Sequence, residues 1–203
     1  MNRTLITEEQ FAEYCESIPD VFFIQIGAND GISFDPIHHL IMKHNWKGVL
    51  IEPGKVAFDQ LRETYKDRKN DLVFLNYAVS NYDGEISLYC GSTTPHFTVD
   101  FLKAKHMFDV EPKEFSVPCI SMSTLVQQYV KVKLDVLQID AEGHDHIILE
   151  NFDFNAFTPK IIRFEHVSIE ELALKKCLTT MLDFGYNIMY STDGADIIAI
   201  KEK

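Results

Sequence analysis

The chain has 203 residues, 46% of them hydrophobic and 25% charged, a globular balance that excludes a disordered chain or a fibrous repeat. Its net charge of −12, with a pI near 5.0, repels phosphate backbones and argues against a nucleic-acid partner. At roughly 150 residues per domain, one domain over 1–203 is expected.

The N-terminus from Met1 to Glu9 is polar and acidic, without the apolar core of a signal segment. No apolar run is long enough to span a membrane. Cys15, Cys90, Cys119 and Cys177 form no CxxC motif and read as small buried hydrophobes in a reducing compartment. A cytoplasmic protein is expected. The basic cluster of Lys66, Arg68 and Lys69 reads as a solvated helix end.

Thr7 and Gln10 make a capping box for a first helix, with Ile6 and Phe11 placed as its staple. The run Val21 to Ile26 predicts a strand. Pro36 sits near the start of the next helix, where its missing N–H costs nothing. Strands follow over Val49 to Glu52 and Leu72 to Asn76, with a helix from about Gly54 to Lys66 between them. Further strands are predicted at Leu134 to Ile139 and Lys160 to Glu165. These runs are nearly continuous in Val, Ile, Leu and Phe, as in parallel strands buried on both faces.

Ser168 with Glu171 reads as a second capping box, and Gly185 closes the helix after it. Tyr186 to Tyr190 and Asp196 to Ile200 flank Asp193-Gly194, a hairpin signal. Alternating strands and helices ending in a hairpin predict an α/β doubly wound sheet with helices on both faces. The irregular stretch from Cys90 to Pro118, rich in Phe, His and Pro, reads either as a lid or substrate loop, with its insertion at 91–118, or as a structural excursion with a satellite core.

Phe22 to Ile26 runs into Gly27-Ala-Asn-Asp-Gly31 and then a helix. That is a strand, a tight turn and a helix N-terminus, suited to bringing a ligand close to the backbone. Glu52 ends the second strand 21 residues after Gly31, where a carboxylate accepts ribose hydroxyls. The turn and the acid together predict an adenosine-type cofactor. Ala78 and Val79 could flank a base or fill the core.

A second cluster follows. Asp140 and Glu142 end the fourth strand, His144, Asp145 and His146 follow, and Glu165 and His166 end the fifth. Such groups can remove a proton from a hydroxyl or hold Mg²⁺ through Asp140, Glu142 and Glu165. Asp145 alone reads as a helix cap. Zinc spacing is absent.

These motifs, in this order, resemble the FkbM-like family of S-adenosylmethionine-dependent methyltransferases. The pieces are Ile26-Gly-Ala-Asn-Asp-Gly31, Ile51-Glu-Pro53, Asn76-Tyr-Ala-Val-Ser80, Asp83-Gly84, Leu137-Gln-Ile-Asp-Ala-Glu-Gly143 and Phe164-Glu165. The resemblance implies a Rossmann-like class I methyltransferase fold, a seven-stranded, mostly parallel sheet with an antiparallel C-terminal hairpin. It implies S-adenosylmethionine held by Gln25, Gly27, Ala28, Asn29, Asp30, Gly31, Glu52, Pro53, Ala78, Val79 and Asp140. Catalytic candidates are then Asp140, Glu142, His144 and His166, with Glu165, His96 and Phe97 toward the substrate.

The implied reaction is O-methylation of a sugar or glycosylated small molecule, with a homo-oligomer left open. The sequence departs from the family pattern twice. Gln25 stands where an acid usually holds the cofactor's ammonium group, and Gln138 stands where Lys is common. Gln25 keeps a second reading open, a non-catalytic S-adenosylmethionine- or nucleotide-binding module. A third, an NAD-dependent dehydrogenase, fits the Gly-x-x-x-Gly turn less well.

Overall fold

A computed structural model describes residues 3–90, 97–99, 105 and 111–201. Along the chain lie β1 (Leu5–Ile6), α1 (Glu8–Glu16), β2 (Phe22–Ile26), α2 (His38–His44), β3 (Lys47–Ile51), α3 (Lys55–Thr64), β4 (Leu72–Leu75), β5 (Ala78–Ser80) and β6 (Gly84–Cys90). There follow β7 (Phe97–Thr98), β8 (Lys113–Ser121), α4 (Met122–Tyr129), β9 (Val136–Ile139), α5 (Asp145–Glu150), β10 (Ile161–Glu165), α6 (Glu171–Asp183), β11 (Tyr186–Ser191) and β12 (Asp196–Lys201).

The main sheet has the order β1-β11-β12-β10-β9-β2-β3-β4. Only β12 runs against its neighbours, antiparallel to both β10 and β11. The expected α/β fold with its terminal hairpin is present. The strand count is eight rather than seven, because Leu5–Ile6 adds a two-residue edge parallel to β11. So short an element leaves no periodicity in the sequence to read.

Alternate residues of the central strands feed two cores. Ile24, Ile26, Leu137, Ile139, Ile162 and Phe164 face α4, α5 and α6. Phe23, Leu50, Val136, Ile161 and Ile198 face α1, α2 and α3. On that second face the register aligns Leu50, Gln25, Gln138, Arg163 and Ile198 across five strands. The apolar layer therefore gives way to a polar one near the strands' carboxyl ends.

The capping box of α1 is present, with Gln10 N–H donating to Thr7 Oγ1 and Thr7 N–H to Gln10 Oε1. The one expected at Ser168 is not: α6 begins at Glu171, after Glu170, with no side-chain cap. Ile169 is the reason. It is buried in a turn whose N–H donates to His166 O, and this turn delays the helix.

A second sheet, of order β5-β8-β6-β7, replaces part of the expected irregular stretch. Lys113 to Pro118 is strand, paired antiparallel with β6 from Glu85 to Cys90. Asp83 ties this sheet to α4, its carboxylate accepting from Ser121 N–H and Thr124 Oγ1 at 2.8 Å each. Most of the expected lid, residues 91–96, 100–104 and 106–110, lies outside the described residues. No helix among the described residues is long and apolar enough to cross a membrane.

Candidate functional site

The carboxyl ends of β2, β3, β9 and β10, with the β11–β12 turn, open onto a cleft of about 770 Å³. Gly27 leaves β2 with φ +78 and donates its N–H to Ile51 O at 2.9 Å. On its other side Asp140 N–H donates to Ile26 O at 2.9 Å. The turn is pressed so closely between β3 and β9 that a Cβ on Gly27 would lie 1.9 Å from the Asp140 carbonyl oxygen.

Glu52 follows β3 and is 5% exposed. Its Oε2 accepts the N–H of Asn29 at 2.9 Å, and its Oε1 that of Gly54 at 2.7 Å. Each oxygen has one N–H and keeps room for a second donor. Burial raises the carboxyl's pKa to about 7 against the pull of those two N–H groups. Asn76 fixes the local backbone, its amide donating to the carbonyls of Glu52 (2.8 Å) and Pro53 (3.0 Å). Ala78 and Val79 form an apolar wall with Leu88.

Asp30 and Gly31 are not among the lining residues. The Asp30 carboxylate accepts from Ile32 N–H, Ser33 N–H and Ser33 Oγ, shaping the turn. Gly31 packs under α3, where a Cβ would lie 2.7 Å from both Leu61 and Tyr65 side-chain atoms.

On the far side, Asp140, Ala141, Glu142 and His144 line the cleft together with Glu165. Glu142 takes φ +51 and Gly143 φ +94, so the loop doubles back on itself. Asp145 sits beneath it, fully buried, with Oδ2 accepting the N–H groups of Ala141 and Gly143 at 3.2 Å. Burial, then the charges of Asp140 and Glu165, push the Asp145 pKa well above the ordinary range. His144 Nε2 lies 2.9 Å from Ser80 Oγ. Burial, then His146, lowers the His144 pKa to about 4, so its ring is neutral near pH 7.

His166 is elsewhere. Its ring stands edge-on to Tyr190 with centroids 5.5 Å apart, and it does not line the cleft. His96 lies outside the described residues. Phe97 is placed only as backbone, in β7. Among the described residues no three His, Cys, Asp or Glu side chains are placed to share a metal ion, so the Mg²⁺ set of Asp140, Glu142 and Glu165 finds no support.

Several lining residues escaped the sequence reading: Glu8, Asp35, Arg163, Asp193 and Asp196. Arg163 left a signal, a lone cation inside the apolar run Ile161 to Phe164, which demands partners. Those partners are Glu8 of α1, bonded by both terminal nitrogens (2.7 and 2.8 Å), and Asp196 of β12, at 2.7 Å from Nε.

The profile of the methyltransferase FkbM domain matches residues 25–188. The chain belongs to this family. The FkbM stretch runs from the middle of β2 into β11, so Glu8 and Asp196, which hold Arg163, fall outside it. No curated protein sequence matches the chain.

Among solved structures it is similar to the methyltransferase FkbM from Methylobacillus flagellatus KT, at 11% identity and TM-score 0.56. That likeness covers 96% of this chain and 44% of the other, so the chain spans less than half of that protein. The METTL16 methyltransferase domain follows at 7% identity and TM-score 0.52, covering 96% of this chain and 65% of the other. A shortened form of that domain gives 8% and 0.51, over 96% and 82%. At these identities the likeness is one of fold.

Proposed function

We propose that the protein is an S-adenosylmethionine-dependent methyltransferase acting on a hydroxyl of a sugar or glycosylated small molecule. Glu52 carries the reading. A buried carboxylate that still has one acceptor position on each oxygen, beside a turn pressed against its neighbours, suits the two hydroxyls of a ribose. The apolar wall of Ala78, Val79 and Leu88 suits the adenine.

S-adenosylmethionine held by Glu52 and the Gly27 turn would supply a methyl group activated on a sulfonium, which the acceptor hydroxyl would take up with loss of its proton. The hydroxyl proton must leave to a base. Asp140, Glu142 and the neutral His144, which line the cleft with Glu165, are the candidates for that base. The protein's other contribution is alignment. Four free thiols support a reducing compartment such as the cytoplasm.

A thermal-shift series with S-adenosylmethionine, S-adenosylhomocysteine and NAD tests the cofactor. Ligands that bind only the folded state raise the melting point by mass action. The two adenosyl-sulfur ligands should stabilise the protein and NAD should not. Stabilisation by NAD alone, or by none of the three, overturns the proposal. Methyl transfer from labelled S-adenosylmethionine to a panel of sugars then tests the acceptor class.

A further inference from the structure

In the register of β2 and β9, Gln25 and Gln138 stand side by side on the same face, on strands about 4.8 Å apart. They are 2% and 4% exposed, and the Oε1 of each is buried without a hydrogen-bond partner. Asp35, just before α2, lines the same cleft. Its Oδ1 accepts the N–H groups of Ile37 (2.8 Å) and His38 (2.9 Å), while its Oδ2 is buried and unpartnered. Burial raises the pKa of this carboxyl above its ordinary value, against the pull of the Ile37 N–H, the nearby Gln25 side chain and the His38 N–H.

All three unpartnered atoms are acceptors. Leaving a buried acceptor unmet is costly, so three on residues that line one cleft point to a missing group with several donors. We propose that Gln25, Asp35 and Gln138 form a socket for a primary ammonium group, that of the cofactor's amino-acid end. An ammonium group brings three N–H donors and no acceptor. The two amides supply dipoles, and Asp35 supplies the negative charge that strand position 25 lacks. The charge stands on the loop before α2 instead of on β2.

Placement agrees with this. Glu52 follows β3, the neighbour of β2. A ligand with its ribose on Glu52 can lay its tail across Gln25 toward Gln138 on β9. The inference therefore rests on the S-adenosyl reading of the cleft.

Calorimetric titration with two ligands tests it. S-adenosylhomocysteine carries the amino-acid tail, and 5′-methylthioadenosine keeps the adenosine and sulfur without it. Asp35→Asn retains Oδ1 for Ile37 and His38 and removes the charge. It should weaken S-adenosylhomocysteine roughly tenfold to a hundredfold, as expected for a lost charge-assisted bond, and leave 5′-methylthioadenosine unchanged. Adding Gln25→Glu to Asp35→Asn should recover most of the loss, because the charge returns on the neighbouring side chain.

Equal weakening of both ligands would make Asp35 a structural residue and overturn the socket. No change with either ligand would overturn it as well. A native protein that binds neither ligand would instead bring down the S-adenosyl reading, and the socket with it.

Discussion

If Glu52 holds the ribose as proposed, it couples proton and ligand. Ribose hydroxyls donate, so the carboxylate must be ionised to accept them while it holds Asn29 and Gly54. With its pKa raised to about 7, affinity for S-adenosylhomocysteine should be level in alkaline solution and fall as pH drops through 7. Glu52→Ala should cost roughly tenfold to a hundredfold at pH 8 and abolish that pH dependence, as titration at several pH values would report. The sign for the unliganded fold is opposite. A raised carboxyl pKa stabilises the fold below 4.5, and that contribution is lost as pH rises through about 7.

Two glycines separate backbone strain from crowding. Gly27 and Gly194 share φ +78, but a Cβ at 194 meets nothing within 4 Å while one at 27 meets backbone at 1.9 Å. Gly194→Ala should cost about 1 kcal/mol in urea unfolding, and Gly27→Ala more than about 3 kcal/mol. Gly27 and Glu52 were legible in sequence because turn and acid follow their strands at a recognisable spacing. Asp35 was not, because nothing in Phe34-Asp-Pro36 tells which strand its carboxylate will face.

At the scale of elements, the apolar runs announced β2, β3, β9 and β10, because a parallel strand buried on both faces has no polar side to disguise it. The second sheet was hidden. Its strand β8 shows the mixed burial of a partly exposed ribbon and carries Pro118, which sequence logic reads as a breaker. Asp145 looked like an ordinary helix-start acid, yet it holds up the loop that carries Asp140 and Glu142. Its Oδ1 is buried with no partner. With its folded pKa raised, it stabilises the protein at low pH, and that contribution is lost as pH rises through the folded value. Asp145→Asn cannot ionise. It should flatten the stability–pH curve on its alkaline side, as urea unfolding at pH 5 and pH 8 would measure. An unchanged curve would mean that Asp145 ionises without cost, against its complete burial.

For the whole molecule, the FkbM stretch begins inside β2, yet the face of the sheet below the cleft is closed by α1. Phe11 is 1% exposed there, and the Arg163 guanidinium carbon lies 4.8 Å from its ring centre. One helix thus seals the apolar layer under the polar row and supplies Glu8, which fixes Arg163 beside Gln138. Removing the ring separates these two duties. Phe11→Ala should cost about 3–5 kcal/mol, a large share of a typical 5–15 kcal/mol, through lost burial and a cavity in the core layer that also holds Phe23 and Ile198. Glu8→Ala should cost no more than about 1 kcal/mol, because the Glu8 side chain is 56% exposed. If α1 serves the site only through the fold, Phe11→Ala will lower the urea midpoint and leave the affinity of the folded fraction for S-adenosylhomocysteine near the native value. If it also sets the polar row, Glu8→Ala will weaken that affinity while hardly moving the midpoint, because Arg163 is then held by Asp196 alone. Titration and unfolding of the two variants side by side decide between these roles.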